Sequence, residues 1–207
     1  MTKAMIRIRN VSRMIGLVAL AAAAASCGDV ARQSRAPVYL IVDTFQVANG
    51  NKSSPTFTAG PLISDVLTKG SIYNDLGQVA LRMALKDIGS PTVALTPSTN
   101  NDVTITRYHI EYVRADGRNT PGVDVPWPFD GAATGTVAAG TTLTLGFEMV
   151  RHAAKEESPL VQLRGLTNPT LINTIAYVTF YGQDQVGNVV SVTASIAVEF
   201  GDFADPT

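Results

Sequence analysis

After residue 38 the hydrophobic positions of this chain alternate with polar ones, and the alternation recurs in segment after segment. Val38–Ala48 opens as an apolar run and then alternates through Phe45 and Val47, as a strand does. Val103–Ala115 is rich in β-branched and aromatic residues, with Tyr108, Ile110 and Tyr112 on one face and His109 and Glu111 on the other. Thr141–Val150 offers Leu143, Leu145, Phe147 and Met149 as a core face. Leu171–Tyr181 and Val189–Phe200 are both strand-like. The second sets Val190, Val192, Ala194, Ile196, Val198 and Phe200 against Ser191, Thr193, Ser195 and Glu199, the half-buried antiparallel pattern.

One segment reads two ways. Leu76–Ile88 contains good helix formers, but Val79, Leu81, Met83 and Leu85 alternate with Gln78, Arg82 and Lys86. A helix would spread those four apolar side chains around its circumference, so a strand is preferred.

Turn chemistry separates these segments. Asn49-Gly50-Asn51 opens a loop that continues through Pro55, Gly60 and Pro61, and Asp116-Gly117-Arg118-Asn119 is a turn signal. Thr120–Gly131 is a Pro-rich loop holding the only tryptophan. Gly131–Gly140 reads as a loop and short strand, and Arg151–Glu157 as a charged connection that a helical turn would suit. Gly182–Asn188 supplies the Gly and Asn that a hairpin needs. Seven or more strands without alternating helices predict an all-β fold, an antiparallel β-sandwich.

The first residues follow a different pattern. Lys3, Arg7, Arg9 and Arg13 come without an acid, and Met14–Ala25 is an apolar run of 12 residues. A basic region, a short apolar run and small residues before a cut make a secretory signal. A membrane-crossing helix needs about 20 apolar residues, and this run is followed at once by polar ones. The expected division is residues 1–26 as signal peptide, 27–37 as a polar tether and 38–207 as one domain.

Ala24-Ala25-Ser26-Cys27 resembles the lipobox of bacterial lipoproteins. The resemblance implies cleavage before Cys27 and acylation of that residue, which is the only cysteine in the chain. An ordinary signal peptide cut after Ala25 is the alternative, and it would leave a lone thiol near the mature N-terminus. Two or more acyl chains hold a protein stably on a membrane where one does not. In Gram-negative families, Asp directly after the cysteine signals inner-membrane retention. Gly28 stands there, so the resemblance implies the outer membrane in such a host.

The C-terminal run Tyr177–Asp184, with the hairpin at Gly187-Asn188, resembles the closing strands of immunoglobulin-like or fibronectin type III-like domains. The disulfide cysteines of true immunoglobulin domains are absent, and no tryptophan sits centrally on a strand. The chain as a whole is similar to bacterial lipoproteins carrying such domains, which implies a class and no activity.

Cleavage would leave about 180 residues, enough for a core without disulfides or metals. It would also leave 12 basic residues against 17 acids, a net charge of about −5, which does not suit a nucleic-acid surface.

Candidate chemistry is sparse. His109 and His152 lack metal-ligand spacing and read as a surface strand residue and a solvated turn residue. No G-x-S-x-G elbow and no phosphate-binding loop is present. Asp116, Asp124, Asp130, Asp184, Asp202 and Asp205 read as turn formers more readily than calcium ligands. No cofactor is expected.

Pro126-Trp127-Pro128-Phe129 is the functional lead: Trp127 and Phe129 would form either an exposed platform for a sugar, peptide or partner, or a plug at the end of the sandwich. The expectation is a non-enzymatic envelope protein, held to the membrane by acyl chains at Cys27, whose sandwich either serves a structural role or binds a partner, an envelope protein or a glycan. A carbohydrate- or peptide-binding module using the Trp127 loop and an enzyme with an unrecognised site are the alternatives.

Overall fold

The computed structural model describes residues 35–51, 54–165 and 170–203. Among these residues ten strands follow in order: β1 (Val38–Ala48), β2 (Leu62–Asp65), β3 (Asp75–Leu85), β4 (Gly89–Ser90), β5 (Val93–Ala94), β6 (Val103–Val113), β7 (Phe129–Val137), β8 (Leu143–Val150), β9 (Ile172–Asp184) and β10 (Val189–Gly201). One short helix, α1 (His152–Glu156), follows β8. The fold is all-β. One sheet has the order β1-β3-β8 and the other β2-β10-β9-β6-β7, while β4 and β5 form a separate small hairpin. All pairings are antiparallel except β2 with β10.

The inner faces of the two larger sheets share one core. Phe147 of β8 lies 5.1 Å from Tyr108 of β6 and 5.3 Å from Phe180 of β9, ring centre to ring centre. Phe45 of β1 stacks on Phe147 from within its own sheet. At the far end of β6, Tyr112 meets Phe200 edge-on at 5.5 Å.

β3 takes the strand conformation that its alternation favours, with Val79, Leu81 and Met83 buried. Helix propensity loses here because a strand puts all three on the core face. In β1, the register with β3 slips between Val42 and Thr44, leaving Asp43 as an extra residue. This bulge explains how an apolar run passes into an alternating one: it resets which side chains face inward. Asp43 points out and accepts a 2.6 Å bond from Arg82 Nε.

β7 is longer than the short strand expected within Gly131–Gly140, and it starts at Phe129 inside the Pro-rich loop. Its small residues make room for large neighbours. A Cβ on Gly131 would fall 2.1 Å from the Tyr108 ring, and one on Gly135 would fall 2.9 Å from Leu143 and Leu145. The core side chains over this strand thus belong to β6 and β8, so periodicity in β7 itself is faint.

The closing hairpin also extends further than its pattern suggests, since β9 runs on to Asp184. Asp184 is buried and shapes the turn: Oδ1 accepts from Val186 N and Asn188 N, and Oδ2 from Asn188 Nδ2. Gly187 supplies the positive φ of 88° that the turn requires.

The chain arrives at one end of the strands. Ala36 is buried with the core, and Pro37 O accepts from Lys86 N, so these two residues of the expected tether pack against the domain. The starts of β1, β6, β8 and β10 lie at this arrival end. Their other termini, with the starts of β3, β7 and β9, lie at the far end.

Candidate functional site

The Pro126–Phe129 run lies at the far end, between β6 and β7, and its two aromatics part company. Phe129 pairs with Ile110 as the first residue of β7 and is 7% exposed. Its ring meets Tyr108 edge-on at 6.1 Å, and the Arg151 guanidinium lies 4.2 Å from its centre. Trp127, two residues earlier, is 54% exposed.

The loop is rigidified locally. Thr120 O accepts from Val123 N and Asp124 N, Asp124 Oδ2 accepts from Thr120 N, and Gly122 N donates to Val125 O. The indole rests against Gly122, where a Cβ would fall 2.5 Å from Nε1. The indole is thereby supported on the Gly122 side while more than half of the residue remains accessible.

Beside this loop, a cleft of about 460 Å³ opens between β7 and β8, the neighbouring edge strands of the two sheets. Phe57, Tyr108, Phe129 and Phe147 give it aromatic walls, and Asp130, Glu148 and Arg151 give it charged margins. Apolar walls with a few polar groups, at that volume, suit a small organic ligand. Tyr108 Oη accepts from Glu148 N at 3.3 Å, and burial raises the Tyr108 phenol above its ordinary pKa. It therefore stays protonated at neutral pH.

The two histidines have separate partners. His109 faces outward on β6, half-buried, with Nδ1 3.4 Å from Asp130 Oδ1, and Arg107 reaches the same oxygen at 2.9 Å. His152 begins α1, and its Nδ1 lies 3.0 Å from Asn74 Oδ1. Asp116 accepts from Arg114, Arg118 and the Arg118 amide, and the Arg114 guanidinium foremost holds its carboxyl well below the usual range. Asp202 accepts from Gly165 N. Among the described residues no group of three or more His, Cys, Asp or Glu could hold a metal ion. Cys27 and Asp205 lie outside the described residues.

Sequence reading passed over a buried ion pair. Lys155 Nζ lies 2.9 Å from Asp75 Oδ2, and the two side chains are 1% and 0% exposed. Ser64 Oγ donates to the same oxygen at 2.6 Å, and Gly50 N donates to Oδ1 at 3.2 Å. Burial pushes the Asp75 carboxyl above its ordinary range, against the opposing pull of Lys155, Ser64 and Gly50. Tyr112 nearby donates from its hydroxyl to Met149 O at 2.6 Å, and burial raises that phenol too. The sequence puts Lys155 in a charged connection, yet the short helix turns it inward. No local signal links it to an aspartate 80 residues earlier.

No protein-family model and no curated protein matches the chain. Among solved structures, the X-ray structure of Northeast Structural Genomics Consortium target SoR45 is similar at 12% identity and a TM-score of 0.32, over 80% of this chain and 86% of that one. Among the described residues, no helix is long and apolar enough to cross a membrane.

Proposed function

We propose that this is an exported, lipid-anchored protein of the bacterial cell envelope, whose immunoglobulin-like or fibronectin type III-like sandwich presents a surface to another envelope component without catalysis. One observation carries the reading: a basic then apolar leader that ends on small residues and the chain's only cysteine, Cys27. The two facing sheets and the ladder of β6, β9 and β10 suit the sandwich assignment. In a Gram-negative host, Gly28 after the cysteine favours the outer membrane. The test is the mass of the mature N-terminal peptide, which should begin at acylated Cys27. Cys27→Ser should release the protein from the membrane fraction. A wild type as soluble as that variant overturns the anchor and the location together.

A second reading is favoured by the exposure of Trp127 on a loop held by its own hydrogen bonds. Here the Trp127 loop and the Phe129-lined cleft take a carbohydrate or peptide. Trp127→Ala should then abolish retention on a glycan or peptide column at unchanged melting temperature. Unaltered retention removes this reading and leaves the first standing.

A further inference from the structure

We propose that the arrival end of the domain rests on the lipid bilayer that holds the anchor, with the β4–β5 hairpin as a second, apolar membrane contact. The inference depends on the lipid-anchor reading of Cys27 and adds to it an orientation and a contact surface.

Ile88, Val93 and Leu95 on the hairpin, and Val186 at the tip of the β9–β10 turn, are between 51% and 74% exposed. Singly exposed aliphatic residues are ordinary, but a group at one place marks an interaction surface. These four share an end because the topology puts them there. The hairpin lies between the end of β3 and the start of β6, and the β9–β10 turn closes beside the start of β6, with Gln185 Nε2 donating to Asp102 O at 3.3 Å. The hairpin closes on itself, with Leu95 N donating to Ile88 O, and its aliphatic side chains lie largely outside the core.

The chain outside the described residues supplies the occupant. Leu95 shares a hollow with Arg35, Ala36 and Pro37, the point at which the chain reaches the domain. Eight residue steps separate Cys27 from Arg35, which is at most roughly 28 Å of extended chain. Acylated Cys27 would sit at the bilayer surface, so this end is confined to within that distance of lipid. The far end is removed from it by the length of β6, 11 residues or roughly 35 Å. Tethering at this range is equivalent to mM concentration of the apolar hairpin at the surface, so even a weak insertion is populated. Insertion to about 5–10 Å suits side chains that stand at a hairpin. The Trp127 loop and the cleft then face away from the membrane, open to partners.

The full lipidated chain, reconstituted in phosphatidylethanolamine–phosphatidylglycerol vesicles, tests this by fluorescence quenching with lipids brominated near the headgroup end of the acyl chain. Two proteins are compared: the wild type, which reports from Trp127, and a Trp127→Phe, Leu95→Trp double variant, which reports from the hairpin. The expected result is several-fold stronger quenching and a blue-shifted emission for the hairpin probe, with Trp127 little quenched. Equal, weak quenching of both overturns the proposal, because the domain then stands off the lipid. Stronger quenching of Trp127 overturns it by reversing the orientation. Weak quenching together with a cross-linked dimer through the hairpin assigns this end to a second copy and also overturns it. Flotation keeps the two readings apart. Protein that floats with vesicles but fails the quenching test loses only this inference, while protein that does not float loses the anchor as well.

Discussion

The two ends of the strands differ in one buried ion pair and one set of exposed aliphatics, although Trp127 is also exposed at the far end and Asp184 is also buried at the arrival end. At the Trp127 end, a lysine and an aspartate are sealed inside the fold and two tyrosine hydroxyls reach from β6 to the backbone of β8. At the arrival end, Ile88, Val93, Leu95 and Val186 stand in solvent on short turns. Each arrangement runs against the default of apolar in and charged out, and such departures are the informative ones. Charge sealed inside is costly unless fully partnered, so the far end is held to one arrangement by its hydrogen bonds. Hydrocarbon left largely outside contributes little to folding, so these side chains are free to serve a surface.

The contrast can be broken most forcefully at Lys155. Lys155→Ala leaves the Asp75 carboxylate buried without its counter-charge, and urea denaturation should show a loss of about 3–5 kcal/mol. Combining Lys155→Met and Asp75→Leu with Ser64→Ala should recover part of it, since the apolar replacements need no partners and the Gly50 amide alone loses its acceptor. A negligible loss in Lys155→Ala would mean that the pair is not sealed as described.

Gly77→Ala comes next. Its Cβ would lie 2.3 Å from the Phe147 ring, whose own neighbours are Tyr108 and Phe180. Overpacking of this kind costs about 1–3 kcal/mol, read as a lower melting temperature. The space under Phe147 belongs to the core at large, so this result sets the scale against which the two ends are judged.

Tyr112→Phe should cost about 1 kcal/mol through the lost bond to Met149 O. It also has a pH signature. Burial holds the Tyr112 phenol above its ordinary value of 10.0, so the folded chain keeps a proton that the unfolded chain releases. The stabilisation is complete below pH 10 and is lost as pH rises beyond it. Alkaline unfolding curves should therefore be shallower in Tyr112→Phe than in the wild type, and identical slopes would remove Tyr112 from the account.

The smallest effect is expected at the opposite end. Ile88→Asp with Leu95→Asp should change stability by no more than about 0.5 kcal/mol, because both side chains are exposed. A large loss there would show that the hairpin packs into the fold and would erase the contrast between the ends.

The strands of the core were legible in the sequence wherever a strand carries its own large side chains, as β1, β3, β6, β8 and β10 do. β7 was obscure because Gly131 and Gly135 are covered by Tyr108, Leu143 and Leu145, so its hydrophobic face is supplied by neighbours. β2 was missed because four residues are too few to show a period, and its parallel place beside β10 is decided by tertiary packing. The β4–β5 hairpin, two residues a side, left no signal for the same reason. At the candidate site, the proline-flanked aromatics were visible as a pair, but only the fold separates an accessible Trp127 from a buried Phe129. The Asp75–Lys155 pair was invisible, since a contact across 80 residues has no local pattern.

The position of β1 has a mechanical consequence. It is an edge strand whose one strand partner in the sheet is β3, over ten antiparallel register pairs from Val38 to Ala48, with a single further bridge from Val47 to Thr58. A load arriving through residue 35 and resisted at the Trp127 loop would run along this strand. It would pull the ten pairs in shear, all at once, where a peeling load would open them one by one. The same ladder that builds the core would then serve as a clasp against tension between an anchor and whatever the far end grips.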